Sequence, residues 1–224
     1  MTLPSNIQQY CVIIPAAGIG SRFADSVPKQ YAKLAEKTIL EHTIHCFLSC
    51  DFVKKIVVAL HPQDQYWPSL NMTDTRIVTV IGGQTRAQSV LHGLIHLNQI
   101  EAADQWVMVH DACRPYVTHD AIIRLINTVR DDDVGGLLAI PSTDTLKQVH
   151  AGRVIKTVPR DCIWQAQTPQ LFRLDVLYQA INSALTTGHV ITDEASAIEL
   201  IGLSPMVVEG DVRNIKITYI TDLA

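Results

Sequence analysis

Short runs of apolar residues alternate with segments of helical periodicity along most of the chain. Nearly every position of each run is apolar, which is typical of strands that are buried on both faces of a sheet. The runs are Cys11–Ile14, Ile56–Leu60, Ile77–Ile81, Trp106–Val109 and Gly136–Ile140. The helical segments are Ile39–Leu48, Ala87–Leu97, Ala121–Val129, Leu174–Leu185 and Glu194–Leu200. This alternation predicts an α/β fold of three layers, in which a mostly parallel, Rossmann-like sheet lies between two layers of helices.

One stretch departs from that alternation. Residues 143–158 contain two short β-like runs around His150–Gly152, with polar residues on one face, and this pattern predicts a hairpin. A two-stranded hairpin is only marginally stable alone, so we expect this β-arm, at 143–160, to pack on its own chain or on another subunit. No repeat or linker divides the sequence, and we expect residues 1–224 to form a single domain.

Composition and charge narrow the class of protein. Of the 224 residues, 47% are hydrophobic and 18% are charged, which supports a folded chain with a large core. The net charge of −4 argues against a general nucleic-acid binder, because such proteins need a basic surface. The sequence contains no apolar run that approaches the length of a membrane span, about 20 residues. We therefore expect a soluble protein without a nucleic-acid or membrane partner.

The 5 cysteines form no Cys-x-x-Cys pair, which favours reduced thiols over a disulfide framework and suggests a cytoplasmic location. Cys46 and Cys50 share a helical face, as do His92 and His96. Neither pair has a matching cluster of ligands nearby in the sequence, so we expect core packing rather than a metal site.

The segment Pro15–Arg22, followed by Pro28–Gln30, has the features of a phosphate-binding loop. It follows an apolar strand, and its glycines permit close approach of an anion to backbone N–H groups. Arg22 and Lys29 add two cations within reach of the same loop, which suits a triphosphate. The loop lacks the Gly-Lys-Ser/Thr of a Walker A motif, and Phe23 stands where a dinucleotide fingerprint needs a third small residue. The alternative is a tight turn that binds no ligand.

Polar motifs follow other predicted strands, and ligands of parallel sheets bind at that edge. They are G-G-Q-T-R-A-Q-S-V at 82–90, H-D-A-C-R-P at 110–115, T-P-Q at 168–170, T-D-E-A-S at 192–196 and N-I-K-I-T at 214–218. Together with the phosphate-binding loop, this ordered set resembles the methylerythritol phosphate cytidylyltransferases of the non-mevalonate isoprenoid pathway. The resemblance runs from about Val12 to Leu223.

The resemblance implies a nucleotidyltransferase that uses CTP and 2-C-methyl-D-erythritol 4-phosphate, with Mg²⁺ bound mainly through the CTP phosphates. It assigns catalysis to Arg22 and Lys29. The residues that it places on the nucleotide are Ala16, Ala17, Gly18, Gly83, Arg86 and Ser89. Those that it places on the sugar phosphate are Asp111, Arg114, Thr145, Arg160, Thr168 and Lys216. We also expect a homodimer formed through the arm.

Several of these residues have simpler explanations. The two glycines at 82–83 are also typical of a turn, and Arg86 is also suited to bracing a neighbouring loop. Asp111 follows a buried run and needs partners for its charge, which Arg114 alone could supply. Lys216 is also consistent with a solvated lysine of an edge strand. Asp193 and Glu194 most simply begin a helix after Thr192.

Other functions stay open at this stage. A cytidylyltransferase for another polyol phosphate, such as ribitol 5-phosphate, would share the CTP loops. A regulatory nucleotide-binding protein would not require both Arg22 and Lys29. A dehydrogenase would need a third small residue in the first loop and an acid for the ribose. Cys113 and Ile220 depart from the family pattern, which usually has alanine and proline there.

Overall fold

The computed structural model describes residues 8–18 and 27–223. The strands of its large sheet are β1 (Tyr10–Ala16), β4 (Val53–Leu60), β5 (Ile77–Ile81), β6 (Trp106–Val109), β7 (Gly135–Pro141), β10 (Trp164–Arg173) and β11 (Met206–Glu209). The short strands β2 (Lys33–Leu34) and β3 (Lys37–Thr38) pair with each other, as do β8 (Leu146–His150) and β9 (Arg153–Val158). The helices are α1 (Ile39–Leu48), α2 (Arg86–Asn98), α3 (His119–Val129), α4 (Leu174–Thr186) and α5 (Glu194–Leu200).

The large sheet has the strand order β11-β7-β10-β6-β1-β4-β5. Strand β1 pairs in parallel with β4 and β6, and β4 pairs in parallel with β5. Among the described strands of the large sheet, only β10 runs against its neighbours, and it pairs antiparallel with both β6 and β7. The expectation of a mostly parallel α/β sheet is therefore confirmed. Each apolar run predicted as a strand lies within one of its parallel strands.

Two apolar cores cover the two faces of the sheet. Val12 and Ile14 of β1 face a core that includes residues of α1 and α3. Cys11 and Ile13 face the opposite core, which α2, α4 and α5 complete. Successive side chains of a strand point to opposite faces, so a strand covered on both sides is apolar at consecutive positions. The continuous apolar runs in the sequence have this physical origin.

Strand β10 was not predicted from the sequence. The motif T-P-Q at 168–170 was assigned to a loop after a strand, but it lies inside β10, where the pairing with β7 shifts register between Ala166 and Gln170. The assignment was wrong because the strand is polar from Gln165 to Thr168, apart from Ala166, and Pro169 follows directly. Gln167, Thr168 and Gln170 are nevertheless buried, with 4%, 4% and 1% exposure.

The predicted hairpin is present as β8 and β9, joined by a turn at Ala151 and Gly152 with φ of 46° and 76°. Glycine reaches positive φ at little cost, which suits it to this turn. The arm leaves the sheet at the end of β7 and returns into β10. Val149, Val154 and Ile155 of the arm are exposed, at 54%, 60% and 60%.

The alternative in which Lys216 is a lysine of an edge strand does not hold, because the segment that carries it is irregular. Ile217 is fully buried and donates its backbone N–H to Cys113 O at 2.9 Å, whereas Ile215 is 43% exposed. This backbone contact ties the segment to the loop that follows β6. Within the described ranges, no helix combines the length and apolar character that a membrane crossing requires.

Candidate active site

Loops at the carboxyl ends of the parallel strands enclose a cavity of about 290 Å³. Its walls come from the loops after β1, β5 and β6, from the start of α2 and from the irregular segment near residue 216. Nine of the residues assigned to ligands from the sequence line it, namely Ala16, Ala17, Gly18, Lys29, Gly83, Arg86, Ser89, Asp111 and Lys216. Arg22 lies outside the described residues.

Gln30 holds the phosphate-binding loop in place. Its buried side-chain amide donates from Nε2 to Ala16 O at 2.7 Å and to Gly18 O at 3.0 Å. Both carbonyl groups are thereby turned toward the protein, on either side of Ala17. Lys29 precedes Gln30 at the start of a short 3-10 turn and also lines the cavity.

The loop at 82–85 packs against the phosphate-binding loop. A Cβ atom on Gly82 would lie 2.5 Å from Ala17 Cβ, and one on Gly83 would lie 2.3 Å from Gln88 Cβ. The close approach of the chain therefore requires glycine at both positions. Ser89 Oγ accepts from Gly83 N at 3.0 Å and donates to Thr85 O at 3.0 Å, so its hydroxyl shapes this loop.

Helix α2 begins at the cavity. Thr85 and Gln88 form a capping box, which leaves the first turn of the helix directed at the nucleotide side of the site. The first N–H groups of a helix and its dipole favour an anion at this end. The sequence-based interpretation of 82–90 as a binding loop agrees with this placement.

A group of five charged side chains, which we call the charged wall, lies beside the cavity. It consists of Arg86, Asp111, Arg114, Glu194 and Lys216. Asp111 Oδ1 accepts from Arg86 Nε at 2.9 Å, and its Oδ2 lies 2.9 Å from Lys216 Nζ and 3.4 Å from Arg114 Nε. Arg86 Nη1 and Nη2 donate to the two carboxylate oxygens of Glu194 at 2.6 and 2.9 Å.

The charged wall fixes the protonation of Asp111 and Arg86. Burial alone would raise the pKa of Asp111, but the charges of Arg86, Lys216 and Arg114 hold it well below its usual range. Burial would lower the pKa of Arg86, and the opposing carboxylates of Glu194 and Asp111 raise it above its ordinary value. Asp111 is therefore a carboxylate and Arg86 a guanidinium at neutral pH. The alternative in which Arg114 alone pairs with Asp111 is incomplete, because Arg86 and Lys216 are also its partners.

A second cavity, of about 220 Å³, lies on the other side of the wall. It shares Arg86, Asp111 and Lys216 with the first cavity and adds Arg114, Thr168 and other polar residues. A neighbouring space of about 260 Å³ also contacts Arg114 and Lys216. The arrangement places two adjoining polar cavities around one set of cations.

Buried hydrogen bonds hold the loop after β6. Asp111 N donates to Thr168 Oγ1 at 3.1 Å, and Thr168 Oγ1 lies 3.0 Å from His110 Nδ1. His110 Nε2 lies 3.0 Å from Arg114 O, which can only accept, so the neutral imidazole donates there and accepts from Thr168. Burial lowers the pKa of His110 to about 4. The Thr168 hydroxyl is thus engaged within the protein.

Two residues assigned to the sugar phosphate stand apart in the single chain. Thr145 and Arg160 are exposed at the two ends of the arm, and neither lines the three cavities described above. Arg160 donates to Thr143 O, within the base of the arm. Their assignment stays a prediction.

Within the part of the chain that the structure describes, no cluster of three or more His, Cys, Asp or Glu side chains is arranged to hold a metal ion. The carboxylate nearest the nucleotide cavity is Asp111, and both of its oxygens already face cations.

Three residues of the site were missed or misjudged from the sequence. Gln30 was noted only as part of P-K-Q, and Gln170 only as part of T-P-Q. Glu194 begins α5, as predicted, but its burial, at 1% exposure, and its bonds to Arg86 were not foreseen. Residues 194, 195, 197 and 198 form the buried face of α5, so helical periodicity would have placed Glu194 inward.

Comparisons with known proteins agree with this geometry. The family model described as 2-C-methyl-D-erythritol 4-phosphate cytidylyltransferase matches residues 10–224. The protein of that name from Pseudomonas fluorescens SBW25 is 48% identical over 224 residues, covering 99% of this chain and 95% of the relative. The one from Pseudomonas aeruginosa PAO1 is 47% identical over 222 residues, covering 98% and 95%.

A solved structure leads to the same family. The Francisella tularensis 2-C-methyl-D-erythritol 4-phosphate cytidylyltransferase has 42% identity and a TM-score of 0.85, and the match covers 96% of both chains. The resemblance carried by the loop motifs is therefore confirmed over nearly the whole chain, and the chain belongs to the 2-C-methyl-D-erythritol 4-phosphate cytidylyltransferase family.

Proposed function

We propose that this protein transfers CMP from CTP to 2-C-methyl-D-erythritol 4-phosphate. The products are 4-(cytidine 5′-diphospho)-2-C-methyl-D-erythritol and pyrophosphate. One observation carries the proposal, namely the two adjoining cavities that share Arg86, Asp111 and Lys216. The first has a phosphate-binding loop and a helix start for a nucleotide, and the second has cations and hydroxyls for a polyol phosphate. Family membership over nearly the full length supports the same reaction.

The reaction joins two anions, so its main demand is charge stabilisation. An oxygen of the acceptor phosphate attacks the α-phosphorus of CTP in line, and the bond to the leaving pyrophosphate breaks. A phosphate monoester with a second pKa near ~6 is largely deprotonated at neutral pH, so no general base is required. Lys29, at the phosphate-binding loop, is assigned to the charge that gathers on the α-phosphate, together with Arg22.

The charged wall is assigned to alignment. Lys216 borders both cavities, so its ammonium group can bind phosphate oxygens of either substrate. Arg114 borders the second cavity and is assigned to the acceptor phosphate. Asp111 repels phosphate and accepts from hydroxyl groups, which suits it to the sugar hydroxyls at the junction of the two substrates.

Magnesium is expected to arrive with CTP. Its role would be to neutralise charge on the phosphate oxygens and so to favour departure of pyrophosphate.

A homodimer through the arm belongs to the same proposal. The arm exposes Val149, Val154 and Ile155 and pairs only with itself among the described strands. A hairpin of this size needs a further surface for stability. An arm that crosses to a partner would bring Thr145 and Arg160 toward the partner's acceptor cavity.

The 5 cysteines are all free thiols, which supports a reducing, cytoplasmic location.

Pyrophosphate release provides the test. The purified protein is assayed with CTP and Mg²⁺ and with either 2-C-methyl-D-erythritol 4-phosphate or ribitol 5-phosphate as acceptor. UTP replaces CTP in a parallel series. We expect the highest kcat/KM with CTP and the methylerythritol phosphate. A higher value with ribitol 5-phosphate, or equal use of UTP, would overturn the assignment.

A further inference from the structure

Glu194 is a buried carboxylate that borders neither of the two substrate cavities. It is 1% exposed, and both of its oxygens accept from Arg86. It does not line the nucleotide cavity or the acceptor cavity. A charge buried this deeply is costly unless it is paired, and the bidentate geometry with Arg86 satisfies that requirement.

The backbone fixes where Glu194 stands. Asp193 caps α5 by accepting from Ser196 N at 3.0 Å. Gln170 of β10 accepts from Ala195 N at 2.8 Å and donates to Asp193 Oδ2 at 2.9 Å. Gln170 is itself 1% exposed, so a buried strand residue clamps the first turn of α5 from both sides of Glu194.

The guanidinium of Arg86 is oriented by two carboxylates at once. Its Nε donates to Asp111, and one N–H from each terminal nitrogen donates to Glu194. A guanidinium has five N–H groups, so two remain for other partners. Without Glu194, the Arg86 guanidinium could rotate between Asp111 and a bound phosphate. Asp111 Oδ1 would then no longer have a fixed hydrogen-bond donor.

We propose that Glu194 is a positioning residue for the cytidylyl transfer, which acts through Arg86 to hold Asp111 and Lys216 between the two substrate cavities. The inference rests on the proposed function. In this role Glu194 contacts neither substrate, but it determines how the charged groups of the charged wall are oriented toward both.

The main variant is Glu194→Gln, which keeps the volume but removes the charge. Its amide group places an N–H against a guanidinium N–H, so one of the two bonds is lost. Glu199→Gln, at an exposed position of the same helix, is the matched control. We expect kcat/KM to fall roughly ten- to a hundredfold in Glu194→Gln and to stay unchanged in the control.

Comparing the dissociation constant of CTP with kcat distinguishes a positioning role from a general loss of structure. CTP binding is measured by calorimetry without acceptor, which also counts the folded sites. We expect the dissociation constant of CTP to change less than about threefold while kcat per binding site falls, because alignment rather than affinity is lost. A fall in activity that only follows the number of folded sites would overturn the proposal.

A double-mutant cycle with Arg86→Gln tests whether Glu194 acts through Arg86. If it does, the double variant has the kcat/KM of Arg86→Gln alone. Additive losses would show that Glu194 acts independently and would overturn the proposal. Arg86→Gln leaves Glu194 buried without a partner, so Arg86→Lys, which keeps the charge but not the fork, replaces it if the protein does not fold.

In the Arg86→Lys background, we expect Glu194→Gln to lower kcat/KM by less than half as much, on a logarithmic scale, as it does in the wild-type background. A full effect there would contradict the proposal. The wild-type assay keeps the two levels distinct. If the unmodified protein does not transfer CMP at all, the proposed function fails, whereas normal transfer with an unaffected Glu194→Gln variant contradicts only the positioning role.

Discussion

Lys29, which we assign to catalysis, lines the cavity beside the phosphate-binding loop. We expect Lys29→Ala to lower kcat roughly 100-fold or more while CTP binding weakens less, because the charge is needed most in the transition state. Steady-state kinetics of pyrophosphate release measure both constants. Lys37→Ala, at an exposed position nearby, is the control. An unchanged kcat in Lys29→Ala would reduce this residue to a binding role. The same loss of kcat is predicted for Arg22→Ala.

His110 makes folding stability depend on pH. Its pKa is about 4 in the folded protein because burial disfavours the imidazolium, against about 6.5 in an unfolded chain. A depressed pKa means that the unfolded state binds the proton first. The contribution is fully present above about pH 6.5 and is lost progressively between that pH and about 4. We expect His110 to account for about 2 kcal/mol of lost unfolding free energy between pH 6.5 and 5.

Urea unfolding at several pH values measures this slope, and the His110→Asn variant isolates the histidine. The variant is expected to be less stable at pH 7.5 but to lack the extra acid dependence of the wild type. Equal slopes in the two proteins would contradict the assignment. Asp111, whose pKa is also depressed in the folded protein, adds little in this window, because an unfolded Asp takes up its proton mainly below about pH 4.

Single residues of the site differ in how well the sequence predicted them. Gly18 and Lys29 line the cavity as expected, because a loop with glycines and cations after an apolar strand has a direct local signature, whereas Ala16 and Gly83 were assigned through the family resemblance. Glu194 was assigned only to a helix start. Its burial was missed because that burial depends on which side of α5 faces β10. Its partner Arg86 is 108 positions away in the chain, and no local pattern expresses such a distance.

Among the structural elements, the loop at 82–85 offers a sharp test of packing. We expect Gly82→Ala to raise the KM for CTP roughly ten- to a hundredfold, because the new methyl group would displace Ala17 and the phosphate-binding loop. The added Cβ would lie 2.5 Å from Ala17 Cβ and 3.2 Å from Leu60 O. Kinetics with varied CTP, together with the melting temperature, separate this from unfolding. A normal KM for CTP would mean that the loop shifts without consequence.

The elements also show where periodicity succeeds and fails. The bounds predicted for α1 and α5 agree with the structure, because apolar residues recur there at helical spacing. Strand β10 has no such signal in its polar half. Gln167, Thr168 and Gln170 are buried because their polar groups bond to neighbouring loops, and that compensation is visible only in three dimensions.

At the scale of the whole molecule, the arm predicts sites that are shared between subunits. Lys29→Ala and Arg160→Ala chains, each inactive as a pure preparation, are refolded together. If the arm acts on the partner, half of the dimers are mixed and each has one intact site, so about a quarter of the sites recover. Sedimentation measures the oligomeric state, and pyrophosphate release measures recovery. A monomer, or a mixture as inactive as its parents, would show that the arm serves its own subunit.

The strand order also bears on how the protein is made. The neighbours β6-β1-β4-β5 all come from residues up to 109, whereas β7, β10 and β11 come from residues 135–209. During synthesis the first group of strands leaves the ribosome well before the second. Arg86 and Asp111 are therefore solvated until Glu194 and Lys216 have been synthesised. A nascent or prematurely terminated chain therefore has the phosphate-binding loop without the charged wall. We expect such incomplete products not to transfer CMP, so that activity begins only when translation is nearly finished.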